Sequence, residues 1–93
     1  MKVEKYNPYE DYEVKYRADK YIMCILNSAD FFERRLRTKP TIFMSNDVLD
    51  IIAHCHRESV ISRPREETLT VCGYDLKMVY GKNVLYLGYS IAD

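Results

Sequence analysis

Glycine occurs at only three positions in this 93-residue chain, 73, 81 and 88, and all three fall in its last quarter, within or between runs of alternating apolar and polar residues. Alternation with a period of two marks strands with one buried face, and glycine punctuates such strands with turns or bulges. Thr68-Leu69-Thr70-Val71-Cys72 alternates, Leu76, Met78 and Tyr80 alternate with polar neighbours, and Leu85, Leu87 and Tyr89 do so again. A two-residue turn within Gly81-Lys82-Asn83, either Gly81-Lys82 or Lys82-Asn83, places Leu76 and Met78 on the same face as Leu85, Leu87 or Tyr89. The chain is therefore expected to close with a β-hairpin whose register stays open.

Upstream the period changes. Ile22, Ile25, Leu26, Ala29, Phe32 and Leu36 recur every three to four residues, which predicts a helix over about 20–38 with Asp19 as its cap. Arg34, Arg35, Arg37 and Lys39 suit the negative end of that helix, and Pro40 stops it. Thr41-Ile42-Phe43-Met44 reads as a short buried strand. Ser45 or Asn46 then caps a second helix with Val48, Ile51, Ile52 and Cys55 as its apolar stripe. From Ser59 to Glu67 the polar, proline-broken sequence predicts an exposed connection in which deletion is best tolerated.

The first segment offers two readings. Asn7-Pro8-Tyr9-Glu10 has the form of a capped helix start, whereas Tyr12, Val14 and Tyr16 alternate with charged residues as in a strand; the strand is preferred. Residues 1–11 can form a loose N-terminal arm. The expected fold is a single α+β domain spanning 1–93, two helices packed on one face of a small, mainly antiparallel sheet with a C-terminal β-hairpin. One core is the limit at this length, since separate domains take about 100–200 residues each.

Fourteen basic and fourteen acidic residues cancel, so no overall field draws the chain to nucleic acid or an anionic membrane. The longest apolar run, Tyr21 to Leu26, is far short of the roughly 20 residues that cross a bilayer, and Met1 to Tyr6 lacks a signal-peptide core. The expectation is a cytoplasmic protein. Cys24, Cys55 and Cys72 are odd in number and widely spaced among apolar neighbours, which suits reduced, small core residues better than disulfides.

His54-Cys55-His56 carries zinc-ligand chemistry, but adjacent helical positions diverge around the axis and cannot converge on one ion, so no metal or other cofactor is expected. Asp50 and His54, four residues apart, can meet as an oriented general base; no nucleophile or oxyanion arrangement accompanies them, and the chain is expected not to be an enzyme. Arg34, Arg35, Arg37 and Lys39 form the densest basic run, a candidate patch for phosphate or an acidic partner.

Nine tyrosines and no tryptophan give an unusual aromatic set. Tyrosine joins an apolar ring to a polar tip and serves half-wet interfaces well. Tyr9 and Tyr12 in the first quarter, and Tyr80, Tyr86 and Tyr89 in the hairpin, are the candidate partner-binding residues, and an edge hairpin can add to another chain's sheet.

The helix from Ile22 to Leu36, the run Lys39-Pro40-Thr41-Ile42-Phe43-Met44-Ser45-Asn46-Asp47, and Gly73-Tyr74-Asp75-Leu76-Lys77-Met78-Val79 with Val84-Leu85-Tyr86-Leu87-Gly88 together resemble the helix, strand and hairpin core of tailed-phage major capsid proteins over residues 20–91. Those proteins are several times longer, with an extended arm and a long hairpin loop for which this chain has no room. The resemblance implies a short virus-related structural or accessory protein, in the host cytoplasm or the virion, that binds other subunits. The expected function is thus non-catalytic protein–protein interaction or assembly, with itself or a larger partner. The alternative is a small inhibitor or regulator that uses the basic run against nucleic acid or a nucleic-acid-handling protein.

Overall fold

The computed structural model of the chain describes residues 12–63 and 68–89. Helix α1, Tyr12–Phe31, continues into a π-helical turn, Phe32–Leu36, and is followed by strand β1, Thr41–Met44, and helix α2, Asn46–Cys55. A short 3₁₀ turn, Arg57–Ser59, leads into β2, Val60–Arg63; β3, Thr68–Val71; β4, Tyr74–Met78; and β5, Leu85–Gly88. The five strands form one mixed, mostly antiparallel sheet in the order β2-β3-β4-β1-β5. The α+β class with two helices is as the apolar pattern predicts.

Ile25 of α1, Ile42 and Met44 of β1, Val48 and Ile52 of α2 and Val71 of β3 are fully buried and touch one another. Each such side chain contributes about 1.5–3 kcal/mol on leaving water. Leu76, Leu85 and Leu87 pack against the same cluster, and Ile42 stands in register with both Leu76 and Leu87. The opposite sheet face, reached by the alternate residues, carries Phe43 and Tyr86, whose rings stack at 5.0 Å and 11°.

Several expectations give way. The alternation at Tyr12, Val14 and Tyr16 belongs to the first turns of α1. At 100° per residue Tyr12 and Tyr16 share one side, where their rings stack at 6.5 Å, while Val14 turns half-buried to the other. Asp19 consequently lies inside the helix and meets His56 Nε2 at 2.6 Å instead of capping. Leu26 and Leu36, expected in the buried stripe, are exposed. Cys24 is exposed too, and Cys55 and Cys72 are half-buried; all three are free thiols. The expected connection from Ser59 to Glu67 contains β2, which pairs with β3 from Val60↔Val71 to Arg63↔Thr68. Its β-branched Val60-Ile61 start suits a strand, and Val60 packs on the core. Deleting 60–63 would remove an edge strand rather than slack.

The largest correction concerns the closing hairpin. β4 and β5 do not pair with each other, because β1 lies between them, parallel to β4 and antiparallel to β5. Strands two places apart are about 9.6 Å from each other, too far for a two-residue turn. The whole of Val79 to Val84 crosses the end of β1 instead. Val79 N–H donates to Met44 O at 2.9 Å and Ser45 N–H donates to Val84 O at 3.0 Å, so the crossing loop satisfies the backbone where β1 ends. Gly81 makes the crossing feasible, with φ at +130° and a Cβ position only 2.9 Å from Val84 Cγ2. Among the described residues the tight hairpin is β3–β4, where Cys72 and Gly73, at φ 54° and 84°, form a turn of two left-handed residues.

Candidate functional site

The crossing loop is locked by a polar cluster built from α1, the start of α2 and the loop itself. Ser45 precedes α2 in extended conformation but does not cap it with its side chain. Its hydroxyl donates to Asp47 Oδ1 at 2.5 Å and accepts the Val84 N–H at 3.0 Å. Asp47 Oδ2 accepts the Asn83 N–H at 2.8 Å. The Ser45 hydroxyl, then the Asn83 amide, hold the Asp47 carboxyl below the usual carboxylate range by favouring its charged form. Asn83 occupies the left-handed region, φ 55°, which asparagine tolerates better than most residues. Its side-chain oxygen accepts the Tyr21 hydroxyl, and Arg17 Nη2 donates to the same hydroxyl at 2.8 Å.

Beside this cluster an open groove of about 500 Å³ runs between α1 and β5, lined by Lys20, Tyr21, Met23, Cys24, Asn83 and Leu85. Among the described residues β5 is an edge strand. The Ser45–Val84 bond sets the phase of the antiparallel ladder, so Phe43↔Tyr86 and Thr41↔Gly88 are hydrogen-bonded pairs. Leu85 and Leu87 alternate with them and direct their backbone N–H and C=O groups to the open side. The strand Leu85-Tyr86-Leu87-Gly88 has no charge and no proline, the usual guards of a sheet edge. The other edge, β2, ends in Arg63 and runs into Pro64. An unguarded strand edge beside an apolar groove is the equipment for taking up an extended polypeptide by backbone pairing.

The structure separates the tyrosines nominated from sequence. Tyr86 lies on the sheet face away from the helices, stacked on Phe43. Tyr89 reaches the helix side, meeting Phe32 edge-on at 5.8 Å. Tyr80 stands fully exposed in the crossing loop, at the other end of β5 from Tyr89. Tyr12 is exposed at the start of α1, and Tyr9 lies outside the described residues. Of these tyrosines among the described residues, only Tyr86 belongs to the open edge.

The basic run is also divided. Arg34 pairs with Asp30 at 2.9 Å on the exposed surface, and Lys39 Nζ lies 5.7 Å above the Tyr74 ring. Arg35 and Arg37 are exposed, and Arg37 ends the helix in left-handed conformation, φ 52°. Asp50 and His54 meet through backbone: His54 Nδ1 is 2.9 Å from the Asp50 carbonyl oxygen, so the carboxylate-oriented imidazole is not formed by that contact. Among the described residues no three His, Cys, Asp or Glu side chains gather as a metal-binding group. Nor is any described helix long and apolar enough to cross a membrane.

Tyr21, Asp47 and Asn83 escaped the sequence reading as a group. The available signal was an asparagine two residues after Gly81 in a turn segment; nothing local pointed to its partners on two helices. Comparisons with models of known families, with curated proteins and with solved structures found no match.

Proposed function

We propose that this protein is a non-catalytic interaction or assembly protein that docks another polypeptide along the open edge of β5, with the α1 groove receiving side chains from the added strand. The single observation that carries this reading is the edge itself: Leu85 and Leu87 present backbone groups on a strand with no charge or proline, flanked by Met23 and Leu85 in an open groove. Exposed Met23 and Phe31 on α1 add apolar surface. The capsid-like pattern over 20–91 suggests the setting, a short structural or accessory protein of phage type, in virion or host cytoplasm. The basic run supports nucleic acid less well, since Arg34 is engaged by Asp30 and Lys39 by Tyr74.

Tyr86→Lys tests the reading, because a lysine on an edge strand opposes strand addition while the exposed position spares the core. Extract from the native host passed over immobilised protein should give partners that the wild type retains and Tyr86→Lys loses. Equal retention by both would contradict docking at this edge.

A further inference from the structure

Resting on the edge-docking reading, we infer that the occupant of the β5 edge is a second copy of this chain, paired antiparallel about a two-fold axis through Tyr86. The ladder phase dictates the register. Leu85 and Leu87 carry the outward backbone groups, so two antiparallel copies satisfy all four by pairing Leu85 of one with Leu87 of the other. Tyr86 then faces Tyr86 of the second copy as a non-hydrogen-bonded pair. On the outer face the Phe43–Tyr86 stack of each copy would meet the other's, giving a continuous aromatic row.

Helix α1 fits the same axis. It runs alongside β5, with Tyr21 at Asn83 and Phe32 at Tyr89. The helical rise over that interval, about 16 Å, is close to the about 20 Å spanned by the strand. The axis through Tyr86 therefore passes near the middle of that interval, around Leu26 and Asn27. Two copies of α1 lie antiparallel across it. Met23 and Phe31, both more than half exposed, would be covered. The part of α1 that runs alongside β5 thus adds to the area that the strand edge alone would bury. Equal numbers of acidic and basic residues leave no net repulsion between copies.

Sedimentation should show a dimer of the wild type in the micromolar range and a monomer for Tyr86→Lys, which places like charges opposite each other at the axis. In a Cys24→Ser background, Tyr86→Cys should form an intermolecular disulfide at least about tenfold faster than Tyr80→Cys, since non-hydrogen-bonded antiparallel partners stand close to disulfide geometry. Thermal melting of Tyr86→Lys checks that the fold survives. A wild type that stays monomeric at millimolar concentration, or equal cross-linking rates, would overturn the inference. If that monomer still captures a different protein that Tyr86→Lys releases, self-pairing fails while edge docking stands; a dimer indifferent to Tyr86→Lys overturns both.

Discussion

The hydroxyl of Tyr21, midway along α1, donates to the side-chain oxygen of Asn83 in the loop that carries the chain across the end of β1. This contact ties the first helix to the segment that sets the position of β5. Asn83→Ala removes the acceptor and puts a less tolerant residue at φ 55°, so it should cost about 1–2 kcal/mol. Tyr21→Phe, which loses only the hydroxyl, should cost about 0.5–1.5 kcal/mol. Urea denaturation of the two variants checks both the magnitudes and their order.

Asp47 makes stability depend on acidity. Its folded carboxyl titrates below its unfolded value because the Ser45 hydroxyl and the Asn83 amide bind the charged form. The folded state then binds fewer protons, so stability rises with pH where the group titrates. This contribution is fully present above the unfolded carboxylate pKa, near 4, and is lost as pH falls through the lower folded value. Asp47→Asn should flatten that part of the acid profile, measured by thermal melting between about pH 2 and pH 5.

Arg37 ends the first helical segment in the left-handed region, where glycine is the favoured residue. Arg37→Gly should stabilise the fold by about 0.5–1 kcal/mol, the gain in backbone strain exceeding the extra freedom of the unfolded chain. A rise in the urea midpoint is the expected result. The same variant removes one cation of the basic run, and binding through the β5 edge should not change.

Ile52 of α2 is fully buried in the central cluster with Ile25, Ile42, Met44, Val48 and Val71. Ile52→Ala should cost about 2–5 kcal/mol. In a chain of this size that is a large share of total stability, so a thermal midpoint lower by about ten degrees or more is expected.

The fold was legible where periodicity is local. Ile25 and Ala29 mark α1, Val48 and Ile52 mark α2, and the stretch Thr41–Met44 is the strand read from its apolar run. It was illegible where the same residues satisfy two periods: Tyr12 and Tyr16 are two apart in a strand's face count and four apart on a helix, and only the packing of Ala18 and Ile25 decides between them. Strand order is a non-local property. Leu76 and Leu87 suit direct pairing as well as pairing through Ile42, and what separates them is the demand of β1 for partners on both edges. Of the site, Tyr86 and the uncharged strand around it were visible, whereas its place at an edge and the lock formed by Tyr21, Asp47 and Asn83 depend on that order.

Amide hydrogen exchange resolved residue by residue tests the open edge most directly. In dilute solution the amides of Tyr86 and Gly88, bonded to β1, should be protected while those of Leu85 and Leu87 exchange rapidly, and Leu85 and Leu87 should become protected as concentration rises. Protection of Leu85 and Leu87 at every concentration would mean that the edge is already covered within the chain; rapid exchange at every concentration would mean that no second copy occupies it.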